Sequence, residues 1–543
     1  RFGGYGEPLA PFTVLHAARG RAYVCNYNYL YSMFTRMPDT AKTEAQFAIP
    51  EVKESGTYRI FVFGSSAAFG WIHNTSFAQM LQIMLMDRFP GVRFEVYNLA
   101  NGGLNSSLMR PLAVECAHMQ PDAYVIYMGN NEVHGPYGLV SEWAVRPGRV
   151  LTPLEIRMQL KMREFRLGQL MTAMMNREKA DSPVEHVPEE LRPDDPRLEQ
   201  VWRNYQSNMQ SMFRSARTAG AKVFISTLGA NLRHWPPQPG LSWKGLGEED
   251  RNRVARLMEE GKAAESAGDW NQALASYRQA GLVDDANPYL VFRIANCLWA
   301  LQAYDEARAC YAQALELDSF CWVRAKRAFN DTIRRAVATD GGDDVFLIEG
   351  QKKFEEAAPH GTPGNESFAD GCHMRPAGMY VLAKGFFEQM TAQMLEWVRK
   401  HESSGAALPG LDDILALLGS SEALQEETLE RLVQESRKHG VESADALQAE
   451  LERIRANPVT VDYVLQLRLT QKIIESGTED IQFAHRFLEC LGRLPGTFTG
   501  DVPALLERLS ERYYFDKLFQ HNYLDLLSTA DRSEEREIVC RRL

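Results

Sequence analysis

No run of about 18 apolar residues occurs in the 543 residues, so no segment reads as a membrane-spanning helix. A basic surplus is missing as well. The 60 Lys and Arg against 71 Asp and Glu leave a net charge of −11, which argues against a nucleic-acid partner, since such a protein needs a cationic face. The eight cysteines form no C-x-x-C pair and no metal-ligand spacing. They read as small buried hydrophobes and leave the redox compartment undecided. A P-loop, a dinucleotide-binding glycine fingerprint and H-E-x-x-H are all absent, which removes support for nucleotide, nicotinamide and zinc-protease chemistry. No cofactor and no metal is therefore implied. The composition is that of a globular protein, 45% hydrophobic and 24% charged, and the length allows three or four domains whose cores need no disulfide framework.

Residues 1–50 are rich in aromatics, Gly and Pro without a clear period, and read as an extended N-terminal arm over the main unit. From residue 51 short apolar runs alternate with helical stretches. Arg59–Phe63, Phe94–Leu99, Ala123–Met128 and Lys222–Ser226 read as buried strands, with helices over Ser76–Arg88, Ser107–His118 and Leu198–Thr218 between them. That alternation predicts an α/β fold built on a parallel sheet. The stretch 178–196 is Pro-rich and acidic, which suits an exposed loop. Trp270 and Tyr304 stand 34 residues apart, as do Ala273 and Ala307, Tyr277 and Tyr311, and Ala280 and Ala314, a period and residue order that resemble the tetratricopeptide repeat. Val345–Ile348 then reads as another strand and Met379–Lys400 as a closing helix. The expected organisation is a core split into 51–240 and 341–404 by a helical insertion over 241–340, followed by a helical domain over 405–543. In that tail Leu447, Leu451 and Ile454 make an apolar stripe stopped by Asn457-Pro458, and no chemistry is visible. Only two repeats are discernible, fewer than a free-standing array needs, so they are expected to lean on neighbouring parts and to wall the site described next.

Four short segments carry candidate chemistry. Gly64-Ser65-Ser66 follows the first strand, and a Ser at a strand-to-helix turn presents its hydroxyl and backbone N–H at the carboxyl edge of a sheet, where open α/β sheets bind ligands. Such a turn is also built of small residues merely for backbone room. Asn101-Gly102-Gly103 follows the second strand, where a glycine N–H can donate to a developing oxyanion or simply make a turn. Asn131, in Gly129-Asn-Asn-Glu132, can add a side-chain donor or cap a helix. Asp370-Gly-Cys-His373 supplies an imidazole to activate a serine and a carboxylate to orient it, although an Asp-x-x-His turn alone is more often structural. His134, Tyr137, Asn231 and Arg233 fall in the loops after the third and fourth strands and are candidate substrate-binding residues, Arg233 as a partner for a carboxylate or phosphate.

Taken in order, these segments resemble the four sequence blocks of the SGNH (GDSL-type) hydrolases, over about 51–140, 197–240 and 341–400. The resemblance implies a flavodoxin-like parallel sheet. It makes Ser66 the nucleophile, with Asp370 and His373 completing a triad, and the Ser66 and Gly103 N–H groups with the Asn131 amide forming an oxyanion hole. Ser65 stands where the family has Asp, and Glu132 where it has a second Asp. A serine esterase or deacylase acting on an acyl ester is the expected function. An O-acetyltransferase of a cell-surface glycan using the same triad, or a non-catalytic scaffold for protein contacts, are the alternatives. An SGNH core joined to such repeats also looks like a group of bacterial, membrane-associated proteins. The expected setting is therefore the bacterial cell envelope, with a membrane anchor sought upstream of Arg1 and a protein partner for the repeats.

Overall fold

The computed structural model describes residues 9–17, 20–32, 47–70, 75–140, 150–170, 191–237, 245–403 and 407–418, and parts of 429–540, chiefly 463–475, 481–494, 501–513 and 516–529. Most of the Pro-rich stretch over 178–196 lies outside these residues, as do Leu447, Ile454 and Asn457-Pro458.

Strands β1 (Phe12–Ala17) and β2 (Gly20–Cys25) form an antiparallel hairpin, and β3 (Ile49–Pro50) pairs with β2. Helix α1 (Tyr27–Tyr31) follows the hairpin with three tyrosines and a leucine buried. The described residues of 1–50 thus form a small sheet and a short helix anchored by aromatics, where an extended arm was expected. The alternation of Val14, Tyr23 and their neighbours is short, and Gly and Pro around it mask the period.

The main sheet contains β4 (Thr57–Gly64), β5 (Arg93–Asn98), β6 (Ala123–Tyr127), β7 (Lys222–Ser226) and β8 (Val345–Ile348), in the order β5-β4-β6-β7-β8. Every pair is parallel, with Ile60 beside Val96 and Val62 beside Val125. All residues of β4 are buried, as expected for a strand covered on both faces. The exception in character is Arg59, buried at the amino end of β4. Its Nε meets Glu95 at 2.7 Å and its Nη1 donates to the Met119 carbonyl at 2.6 Å, so the charge is paired inside the core.

Two groups of helices cover the sheet. Helix α2 (Ser66–Phe69) is a single turn after β4, and α3 (Phe77–Arg88) starts with a reciprocal Ser76–Gln79 capping box. Helix α4 (Ser106–Cys116) is capped by Asn105; α5 (Pro153–Glu164) and α6 (Leu198–Thr218) follow, and α6 packs on α4. Helices α7 (Glu248–Ser266), α8 (Trp270–Val283), α9 (Pro288–Ala300) and α10 (Tyr304–Leu317) are two antiparallel pairs with an apolar cluster of their own. The 34-residue matches are the packing positions of that cluster: Ala273, Tyr277, Ala280, Ala307, Tyr311 and Ala314 are all buried. Gly261 is where the ring of Tyr277 lies against α7; a Cβ there would stand 2.3 Å from it. Chain order then returns to the sheet through α11 (Arg327–Asp340), which packs on α6, then β8, α12 (Gly350–Ala357) and α13 (Pro376–Ala392), which packs on α3. Short α14 (Glu396–Arg399) and α15 (Leu411–Leu418) precede α16 (Tyr463–Glu475), α17 (Ile481–Arg493), α18 (Val502–Arg512) and α19 (Lys517–Thr529). These last helices share the apolar cluster of the sheet, so the tail packs on the main core.

The repeats lean on the α/β unit, as two units must if their ends are to be covered. The Arg233 guanidinium lies 4.5 Å above the ring of Trp299 in α9. Tyr304 stacks on His360 with ring centroids 3.5 Å apart, and Leu232 joins the repeats' apolar cluster.

Candidate active site

The chain enters the sheet at β4, moves to β5 on one side and then crosses to β6 on the other. Loops leaving β4 and β6 therefore diverge, opening a crevice at the carboxyl edge. Ser66 follows β4 and Asn131 follows β6. Gly64 ends β4 where no side chain fits, since a Cβ would fall 2.3 Å from the Ala68 Cβ and 2.4 Å from the Tyr127 carbonyl oxygen. This close approach lets α2 begin at once, with Ser66 as its first residue and only 8% exposed. The first N–H groups of a helix have no intrahelical acceptor, so the Ser66 N–H stays available as a donor. Ser65, fully buried, has a hydroxyl that meets no partner among the described residues.

The Asp370–His373 turn arrives from the far side of the sheet. Asp370 Oδ1 accepts hydrogen bonds from the backbone N–H of Cys372 at 2.8 Å and of His373 at 2.7 Å, locking the turn locally. Its other oxygen lies 2.5 Å from His373 Nδ1, and His373 Nε2 lies 2.7 Å from Ser66 Oγ. Ser66, His373 and Asp370, separated by 307 and 3 positions, thus form one hydrogen-bonded line. Burial by itself disfavours a charged imidazole, but the adjoining Asp370 carboxylate outweighs it and holds the His373 pKa well above 6.5. Burial would likewise raise Asp370, yet His373 and the two backbone N–H groups hold it below its ordinary value. This polarity suits an imidazole that takes a proton from Ser66 and is stabilised once charged. Cys372, 3.9 Å from His373 Nδ1, has its thiol pushed up by burial, so it is a poor nucleophile beside the serine.

Gly103 adopts φ +73°, a left-handed conformation that favours glycine. Asn98 Nδ2 donates to the Ala68 carbonyl at 3.1 Å, joining the β5 loop to α2. Asn131 Nδ2 donates to the carbonyl of Leu104, Gly103's neighbour, at 3.2 Å. Glu132 reaches across the same gap, accepting from Ser106 N at 2.8 Å and Ser106 Oγ at 2.7 Å. Burial pushes this carboxyl up to about 7 despite both hydrogen bonds. The two loops that carry Gly103 and Asn131 are therefore fastened to each other.

The four candidate substrate-binding residues are used differently. Asn231 is fully buried; its N–H donates to the Gly371 carbonyl at 3.0 Å and its side chain to Asn365 at 3.0 Å. Arg233 pairs with Glu366 at 2.8 Å beside Trp299. Both brace the loops next to the Asp370–His373 turn. His134 Nε2 accepts from Trp322 N at 3.3 Å, and Tyr137, at φ +67° and half-buried, has its hydroxyl pushed up to about 12 by burial. The sequence puts these four in the loops after β6 and β7, where the structure has them, and it does not single out Arg324, whose buried side chain lies under Gly371. A cation set directly after the apolar run Phe320–Val323 is the available signal.

Donor atoms of Asp370, Cys372 and His373 lie within 4.8 Å of one another. With Nδ1 committed to Asp370 and Nε2 to Ser66, the imidazole has no nitrogen left for a cation, and the trio fits an orienting pair better than a metal site. A cavity of about 540 Å³ opens between Ile83, Val92, Pro409, Leu417 and Ile473, at the amino end of β5. It is on the opposite edge of the sheet from Ser66.

A family model described as tetratricopeptide repeat matches residues 264–327. Such repeats commonly mediate protein–protein contacts. A search of curated proteins finds no match to the chain.

Proposed function

We propose that this chain is a serine ester hydrolase of the SGNH (GDSL) type. The observation that carries the reading is the line Ser66 Oγ–His373 Nε2, His373 Nδ1–Asp370 Oδ2 at the switch point of a parallel sheet. The strand order 2-1-3-4-5, counted within that sheet, is the flavodoxin-like order the reading calls for. In this reading Ser66 attacks an ester carbonyl while His373 takes its proton. The oxyanion is met by the N–H groups of Ser66 and Gly103 and the amide of Asn131. His373 then protonates the leaving alcohol, and water, activated by the same imidazole, releases the acyl group from Ser66. Ser65, which cannot ionise, and Glu132, one methylene longer than Asp, leave this set of reacting groups intact.

Hydrolysis of p-nitrophenyl acetate by the full chain tests the reading. Ser66→Ala is expected to lower kcat by about a thousandfold or more. Equal rates in the two proteins would overturn it. Transfer of the acyl group to a glycan hydroxyl proceeds through the same acyl-Ser66, so following label from that intermediate into sugar or free acid separates transferase from hydrolase. A partner protein on the repeats and a bacterial envelope setting belong to the same proposal.

A further inference from the structure

The chain leaves the second repeat through residues 318–326 and there runs directly beneath the Asp370–His373 turn. Asp318 closes α10 and accepts from the N–H of Phe320 at 3.1 Å and of Cys321 at 3.2 Å. Its Oδ2 lies 2.5 Å from Arg324 Nη2, and both side chains are 1% exposed. The other end of the guanidinium, Nη1, donates to the Trp235 carbonyl at 2.8 Å and the Asn231 carbonyl at 3.4 Å. Asn231 in turn donates its N–H to the Gly371 carbonyl at 3.0 Å. The aliphatic stem of Arg324 fills the space under Gly371: a Cβ on that glycine would stand 2.8 Å from Arg324 Cγ and 3.2 Å from Trp235 Cδ1. The turn therefore rests on Arg324 by contact and through Asn231, and Arg324 is fixed by the end of the repeat.

We infer that Arg324 is a positioning residue: anchored to Asp318 at the exit of the repeats, it sets the height of the Asp370–His373 turn and so the reach of His373 Nε2 to Ser66. The inference rests on the serine-hydrolase reading. It also gives the insertion a task in the chemistry, since whatever displaces α10 displaces the base. A buried ion pair is costly to break from one side only, because it leaves an uncompensated charge, whereas replacing both partners is often neutral. Lys326, buried beside Asp318, also loses that carboxylate in a paired replacement but keeps the Leu315 and Asp318 carbonyls as acceptors, so the strut is removed while the one remaining cation stays hydrogen-bonded.

The test uses the full chain and a fluorophosphonate probe that reacts with an activated serine, comparing wild type, Asp318→Asn/Arg324→Met and Arg324→Lys. Two quantities are read: the rate of labelling and the final number of probes per chain. Misfolding lowers the final number; misplacement of a base lowers the rate and leaves the final number at one. The paired variant is expected to label about tenfold to a hundredfold more slowly with a full endpoint, the scale of a displacement near 1 Å. Arg324→Lys should fall between it and wild type. A wild-type rate in the paired variant overturns the inference and leaves the Ser66 reading standing, whereas a wild-type protein that never labels overturns both. If the paired variant does not fold, Gly371→Ala, which presses on the same contact from above, decides: slow labelling to a full endpoint supports the strut, and a wild-type rate refutes it.

Discussion

Glu132→Gln isolates the energetic cost of fastening the two loops beside Ser66 with a buried acid. Glu132 is 4% exposed and accepts both hydrogen bonds that Ser106 offers, while Asn208 Nδ2 holds the Ser106 hydroxyl from behind at 3.0 Å. Burial lifts the carboxyl from 4.5 to about 7 in the folded chain, the Ser106 bonds opposing it. At about 1.4 kcal/mol per pH unit, that gap corresponds to about 3 kcal/mol. The sign follows from proton linkage. Below pH 4.5 the acid is protonated folded and unfolded, and nothing is lost. Between 4.5 and about 7 the unfolded chain releases the proton while the folded chain retains it, so stability declines with rising pH, and the full cost applies above that range. Urea unfolding of wild type and Glu132→Gln at pH 4.5 and pH 8, followed by near-ultraviolet circular dichroism, cancels the other titrating groups in the difference. Wild type is expected to lose about 3 kcal/mol relative to the variant between the two pH values. Parallel pH dependences in the two proteins would refute the argument.

Two further expectations concern the site and the repeats. Because Asp370 raises His373, fluorophosphonate labelling should climb with pH through a midpoint above 6.5, and Asp370→Asn should move it down; a wild-type midpoint at or below 6.5 contradicts the assignment. Gly261→Ala puts a methyl 2.3 Å from the buried Tyr277 ring and should destabilise the repeats by about 1–3 kcal/mol, read as a lower unfolding temperature; an unchanged transition would show that this contact does not hold the pair.

Where burial is two-sided, the sequence is easily read. Lys222–Ser226 is a strand residue for residue, because a covered parallel strand is an apolar run with turn residues at its ends, and Val345–Ile348, half-buried at the sheet edge, keeps the same continuous apolar run. The repeats are legible for a related reason: their period is a packing period, and Ala273, Tyr277 and Ala280 recur as Ala307, Tyr311 and Ala314. The N-terminal hairpin is hard to read because β2 is exposed on both faces at its start and the neighbouring aromatics serve α1 as much as the sheet. At the site, Ser66, Asp370 and His373 stood out as residue types in order. The roles of Asn231 and Arg233 did not. A polar residue at a sheet edge can face a ligand or brace a loop, and only the positions of Gly371 and Glu366 decide between them. The partners of Arg324 and Glu132 are hidden for the same reason, since they lie 6 and 26 positions away and are chosen by the fold.

The most direct measurement of the central claim is covalent: react the full chain with a fluorophosphonate, digest it and locate the adduct by mass spectrometry. The account predicts a single adduct on Ser66, lost in Ser66→Ala and suppressed in His373→Ala. An unlabelled wild-type chain, or an adduct on another residue that persists in Ser66→Ala, would contradict it.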